Sequence, residues 1–144
     1  MNRYLTASLV MLSAALCTAS VAWSDEPLIA PEAKAAAPRE AGASIPDVTV
    51  HDSSGEKISL HALVKNGPTV IVFFRGSWCP ICTRHFQELI KIHPEVVKQG
   101  ARMIAISPDT VENSLANTKK LKTPFPLYSD SNVAAASAFG LAFR

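Results

Sequence analysis

The sequence predicts an α/β domain with parallel strands at its centre. Two apolar runs and the order of the segments around them carry that prediction. Thr69-Val70-Ile71-Val72-Phe73-Phe74 is an unbroken β-branched and aromatic run. A strand without polar alternation is expected to be covered on both faces. Arg102-Met103-Ile104-Ala105-Ile106-Ser107 is a second apolar run, and a long helical pattern separates the two. Strands that alternate with helices build parallel sheets, because a parallel return needs a crossover.

The elements follow in order from near Ile45. Val48-Thr49-Val50 and Ile58-Ser59-Leu60 flank the turn cluster Asp52-Ser53-Ser54-Gly55, which reads as a hairpin. His61 to Val64 is a short helical turn that ends at Asn66-Gly67-Pro68. After the first apolar run, Arg75-Gly76-Ser77-Trp78 forms a loop, and a helix starts at about Cys79. Phe86, Leu89, Ile90, His93 and Val97 share one face of it at helical spacing. Pro94 is expected to kink or interrupt this helix, and Gly100 to end it. Beyond the second run, Asp109 and Glu112 have capping-box spacing for a helix to about Leu121. Pro124 to Tyr128 is extended, since each proline restricts the residue before it. Ser129-Asp130 can cap a short helix from Ser131 to Ala138, closed by Gly140.

The first 44 residues belong to no such domain. Met1-Asn2-Arg3 is followed by an uncharged stretch from Tyr4 to Trp23, then by Asp25-Glu26-Pro27. A basic start, an apolar middle and the small residues Ala22 and Ser24 make a secretory signal peptide over 1–24. The chain is therefore expected to be exported, to a periplasmic compartment, without stable membrane contact after cleavage. Retention of the stretch as an N-terminal anchor is the alternative, although its serines and threonines dilute its apolarity. Lipidation at Cys17 is disfavoured by Leu16 before it. Residues 25–44 are Ala, Pro and Glu with few large apolar side chains and read as a flexible linker, with at most a helical turn near Ala33–Ala37. Residues 45–144 form the single domain that this length allows.

Composition excludes several classes of function. Lys+Arg total 14 against 12 Asp+Glu, a net charge of +2, which does not make a nucleic-acid surface. The three cysteines are too few for a disulfide framework. Cys17 leaves with the signal peptide, so Cys79 and Cys82 remain.

Those two carry the chemistry. Cys79-Pro80-Ile81-Cys82 opens a helix directly after a buried strand and a loop. A side chain placed there meets free N–H groups and the positive end of the helix dipole, which favour a thiolate. Pro80 suits the first helical turn, where its missing N–H has no partner to lose. Cys82 lies nearly one turn on, close enough to attack a mixed disulfide or sulfenic acid on Cys79. Cys79 is thus read as the nucleophile and Cys82 as the resolving thiol. A zinc site would need two more ligands, and His51, His61, His85 and His93 supply no second pair. Thr83 stands where haem attachment needs a histidine. A structural disulfide across so short a loop would constrain little chain.

Smaller candidates surround this pair. Arg75 can stabilise a thiolate or hold a peroxide oxygen; the plainer reading is a solvated loop arginine. Trp78 can cover the disulfide and form part of a docking surface, or pack in the core. Arg84 and His85 follow on the helix, and His85 reads as solvent-exposed rather than as a proton relay. Asp109 and Glu112 read as helix caps, and Lys119, Lys120 and Lys122 as a solvated helix end.

Trp78-Cys79-Pro80-Ile81-Cys82 after an apolar strand resembles the thioredoxin superfamily. Ile104-Ala105-Ile106-Ser107-Pro108-Asp109, and Leu127 to Asp130 leading to Ala138-Phe139-Gly140-Leu141, resemble its peroxiredoxin branch, the alkyl hydroperoxide reductase/thiol-specific antioxidant family. Phe74 to Cys82 is most similar to the members that carry a CxxC. The resemblance covers about 45–144 and implies a thioredoxin-like, peroxiredoxin-type fold. It also implies an antioxidant oxidoreductase in which Cys79 reduces peroxide, Cys82 resolves, and an external thioredoxin-like dithiol restores both thiols, with no metal or organic cofactor. The alternatives are a periplasmic thiol–disulfide oxidoreductase acting on protein disulfides, a non-catalytic metal-binding module, and an inactive fragment.

Two departures from the family pattern stand out. Typical members place Thr or Ser three residues before the peroxidatic cysteine, and Pro four before that. Gly76 and Val72 occupy those positions here. The fold also continues, in the family, with a strand pair carrying a cis-proline loop and with a final helix, whereas this sequence ends at Arg144. The chain is therefore expected to lack the final strand pair and helix. It would leave a sheet edge open, with marginal stability as the consequence.

Overall fold

A computed structural model describes residues 29–144. The signal segment and the start of the linker lie outside the described residues. The elements are β1 (Thr49–His51), β2 (Lys57–Ser59), α1 (Leu60–Val64), β3 (Thr69–Phe73), α2 (Pro80–Lys98), β4 (Arg102–Ser107), α3 (Val111–Leu121), β5 (Leu127–Ser129) and α4 (Ala134–Ala138). They form one five-stranded sheet in the order β2-β1-β5-β4-β3. β3 pairs with β4 in parallel, from Thr69 opposite Arg102 to Phe73 opposite Ile106. β4 pairs with β5 in parallel, and β1 joins β5 and β2 antiparallel. The α/β class with a parallel centre is the one that the sequence predicts.

β4, like the short β5, is buried on both faces. In β4 the alternate side chains feed two different cores, as the two-residue period of a strand requires. Met103 and Ala105 point to a core with Phe86 and Leu89 of α2, Leu121 of α3, Phe125 and Leu127. Ile104 and Ile106 point to the opposite core, with Val50, Leu60, Tyr128 and Ala135. The result is a sheet between two helical layers.

The long run at 69–74 behaves differently from its expected central position. β3 pairs only with β4 among the described residues, and Val70 is 40% exposed. An apolar run reports side chains that seek cover. It does not report how many neighbours the backbone has. Val72 and Phe74 pack on the α2 side, and Ile71 and Phe73 on the α1/α4 side.

α2 runs from Pro80 to Lys98 straight through Pro94, with no break. Phe86, Leu89 and Ile90 on one side of the proline and Val96 on the other hold it to the sheet. Val97, assigned from spacing to the inner face, is 52% exposed, and Val96 takes that place. His93 lies against Phe125, with ring centroids 5.6 Å apart.

Two helix starts also differ from expectation. Thr110, not Asp109, caps α3, accepting the Asn113 N–H at 3.3 Å. α4 begins at Ala134 rather than Ser131, because Val133 adopts a left-handed conformation at φ 59°. Asp130 still serves this helix from a distance. Its two carboxylate oxygens accept the N–H groups of Ala135 at 3.0 Å and Ala136 at 2.9 Å. Asp130 is fully buried, and burial raises its pKa from its ordinary value against the opposing effect of these N–H groups.

Residues 29–44 include a single 3-10 turn at Ala33–Ala35 and run beside the end of the chain. Ala30 bridges Phe143 in parallel, donating to Ala142 O at 2.9 Å and accepting from Arg144 N at 3.0 Å. The Arg39 N–H reaches Phe139 O at 3.1 Å, and Ala37 passes so close to Gly140 that a Cβ there would collide with it. These are main-chain contacts, which a reading of side-chain composition does not register.

Asp130→Ala should remove both acceptors from the first turn of α4. Chemical denaturation is expected to show a loss of about 1–3 kcal/mol, the cost of buried donors left unpaired.

Candidate active site

The parallel pairing of β3 and β4 brings the C-terminal ends of both strands side by side. The loop after β3 carries Arg75 to Trp78. The loop after β4 carries Pro108 and Asp109. Cys79 is the N-cap of α2, and Pro80 sits in the first turn as the spacing requires. Cys79 is 3% exposed, and Cys82 is half-buried.

The two sulfur atoms face each other. The Cys82 thiol donates to Cys79 Sγ at 2.8 Å, and the Cys82 backbone N–H donates to the same sulfur at 3.4 Å. Both bonds favour a thiolate on Cys79, and its pKa is lowered. The Cys82 thiol is the first cause and its N–H the second; burial opposes them, and the Arg75 charge adds a smaller effect in the same sense. Cys82 shifts the other way. Burial raises its pKa first, and its bond to Cys79 raises it further. The pair therefore divides into an ionisable sulfur and a protonated one, the division a nucleophile and its resolving thiol require.

Arg75 lies on the surface with its guanidinium carbon 4.8 Å from the Trp78 ring centroid. Trp78 is 63% exposed and Ile81 74%, so Trp78 packs in no core. A cleft of about 580 Å³ opens beside Arg75 and Trp78, lined mainly by apolar groups that include Phe73, Ile106, Val133 and Phe143. Neither cysteine lines it. Arg84 and His85 are exposed on the outer face of α2. Among the described residues, no three His, Cys, Asp or Glu side chains converge as a metal ion would need.

The residue that spacing misassigned is Asp109. Its carboxylate accepts the Ser77 N–H at 2.7 Å, the Ser77 hydroxyl at 3.2 Å and the Ser107 hydroxyl at 3.1 Å. It therefore holds the loop that leads into Cys79. Short-range spacing suggested a cap; the Ser77 contact spans 32 positions in sequence, beyond the reach of any local pattern. Gly76 explains one departure from the family pattern. It has φ 136°, and a Cβ there would come within 2.6 Å of Trp78 Nε1 and 3.0 Å of Asp109 Oδ1. No threonine fits that backbone.

A five-stranded mixed sheet with a cysteine pair at the start of its long helix defines the thioredoxin-like class of fold. Residues 41–144 match the AhpC/TSA family model, and the chain belongs to that family. It is 34% identical to chloroplastic peroxiredoxin Q of Sedum lineare over 89 residues, which are 62% of this chain and 47% of that protein. Peroxidoxin BcpB of Mycobacterium tuberculosis superposes with a TM-score of 0.64 at 26% identity, over 69% of this chain and 64% of that one. The bacterioferritin comigratory protein of Xanthomonas campestris gives 0.61 at 28% identity, over 69% and 66%. The chain thus spans about half to two thirds of the length of these relatives.

Three outcomes are expected here. Limiting iodoacetamide followed by peptide mass analysis should label Cys79 ahead of Cys82 at neutral pH. The reduced chain's stability, measured against a Cys79→Ser/Cys82→Ser variant, should rise with pH up to about 8.5, the value of a free cysteine. Between the lowered pKa of the folded Cys79 and that value, the folded thiol has lost its proton and the unfolded one has not. Above it the difference should fall, because Cys82 keeps its proton in the fold and loses it when unfolded. Gly76→Thr, which supplies the family's usual hydroxyl, should cost about 1–3 kcal/mol of backbone strain and slow Cys79 instead of activating it, as urea midpoints and alkylation rates would show.

Proposed function

We propose that this chain is the catalytic part of an exported thiol peroxidase. The observation that carries the reading is the convergence of the Cys82 thiol and N–H on Cys79 Sγ at the start of α2, in a member of a peroxidase family. The Cys79 thiolate attacks the terminal oxygen of a hydroperoxide. An S–O bond forms as the O–O bond breaks, and the leaving alkoxide takes a proton to become an alcohol. Cys79 is then a sulfenic acid. Cys82 attacks its sulfur, an S–S bond forms, and water leaves. An external thioredoxin-like dithiol exchanges with the disulfide and restores both thiols, taking the oxidation onto itself. No metal or organic cofactor enters this cycle.

The X. campestris neighbour has alkyl peroxide reduction activity. The apolar cleft lined in part by Arg75 and Trp78, the residues just before Cys79, suits the organic part of such a substrate. Arg75 supplies positive charge near the sulfur. The uncharged stretch from Tyr4 to Trp23 after Arg3 supports export to the periplasm with removal of residues 1–24.

A second reading is disulfide exchange on proteins without useful peroxidase activity. Gly76 favours it, since no hydroxyl stands at that position, and exposed Trp78 and Ile81 offer an apolar contact beside the cysteines. Stopped-flow mixing of the reduced chain without residues 1–24, in which Trp78 is the remaining tryptophan, with hydrogen peroxide, followed by fluorescence, separates the two. The peroxidase reading expects a rate orders of magnitude above that of a free thiolate, and a sulfenic acid that persists in Cys82→Ser. A rate no better than that of free thiol sinks it and leaves disulfide exchange.

A further inference from the structure

We propose that Asp109 is a positioning residue for the nucleophile, fastening the loop Arg75–Trp78 to the end of β4 so that α2 starts where Cys79 caps it. The inference rests on the reading of Cys79 as the reactive thiol. It does not depend on whether the substrate is a peroxide or a disulfide.

Asp109 is 6% exposed, and no cation pairs with it among the described residues. A buried carboxylate without a counterion is costly unless donors surround it. Here every donor comes from the two strand ends that frame the site. Ser77 gives its N–H and hydroxyl, and Ser107 its hydroxyl. The residue's own backbone is held as well: its N–H reaches Ser107 Oγ at 3.4 Å, and its carbonyl accepts the Ser129 hydroxyl at 2.6 Å. The carboxylate is therefore a fixed point anchored to β4 and β5.

The anchoring passes to Cys79 in two short steps. Ser77 is held through its amide, so the peptide plane joining it to Gly76 is set. The Gly76 carbonyl on that plane accepts the Cys79 N–H at 3.2 Å. The Gly76 backbone lies against the carboxylate closely enough that a Cβ would be 3.0 Å from Oδ1. A cap for α3 would need none of this, because Thr110 performs that task. The Cys82 thiol and N–H that meet the Cys79 sulfur keep their places only while this loop does.

The test uses the full chain, with Cys79 alkylation followed by peptide mass analysis across pH, and with peroxide kinetics alongside. In Asp109→Ala, the alkylation midpoint should move up toward about 8.5. The rate of the fully ionised thiolate with peroxide should fall by about tenfold or more, as misplacement of a reacting group predicts. Asp109→Asn keeps an acceptor for the Ser77 N–H and should stay within about threefold of the native rate. Ser77→Ala keeps the amide bond and should behave likewise. A folded Asp109→Ala chain with the native midpoint and rate would overturn the proposal. So would an Asn variant as impaired as the Ala variant, since the bond to Ser77 would then not be what matters. If Asp109→Ala does not fold, Asp109→Glu decides. It keeps the charge but drives the carboxylate into the Gly76 backbone, so impaired alkylation supports the proposal and native behaviour refutes it. Should the native chain react with peroxide no faster than a free thiol, the peroxidase reading fails, while the alkylation midpoints still decide the role of Asp109.

Discussion

The parallel pairing of β3 with β4 sets where the chemistry can stand. Parallel strands end at the same edge of a sheet, so the loops that leave them meet there. One loop brings Cys79 and the other brings Asp109. The five-residue register from Thr69 opposite Arg102 to Phe73 opposite Ile106 fixes their relative height. A shift of one residue would turn every β3 side chain to the other face. Val72 would then leave the α2 core and Phe73 the α4 core. The two cores thus enforce the register, and the register places the loops.

On that frame the cysteine pair is built from short-range parts. The thiolate is favoured by groups within one helical turn: the Cys82 thiol, the Cys82 N–H, and the free N–H groups at the start of α2. Burial resists the charge on both sulfurs, and on Cys79 the hydrogen bonds outweigh it, whereas on Cys82 nothing does. The same bond therefore has opposite effects at its two ends. It lowers the pKa of the acceptor and raises that of the donor, so two identical side chains differ in acidity.

Gly76 and Asp109 are two sides of one constraint. A carboxylate that accepts from Ser77 must lie against the preceding peptide, and that peptide has no room for a side chain. Gly76 combines this crowding with a positive φ. The absence of a hydroxyl three positions before Cys79, which from sequence looks like a loss, is the local cost of this way of holding the loop.

How much was legible from sequence depended on range. The order of strands and helices, the turn at Asp52–Gly55, and a cysteine pair opening a helix after a strand all rest on contacts a few residues long. Periodicity, turn chemistry and capping spacing report such contacts directly. Resemblance over 45–144 supplied the family. The tertiary structure decided what distant residues share: that β4 is central and β3 lies at the sheet edge among the described residues, that Val96 replaces Val97 against the sheet, and that the linker meets the chain end through main-chain bonds. It also turned Asp109 from a helix cap into the anchor of a loop 32 positions away. An aspartate before a helix satisfies a local donor and a distant one equally well. Only the packing of β3 beside β4 brings Ser77 near enough to take the carboxylate, and no pattern along one strand of sequence contains that distance.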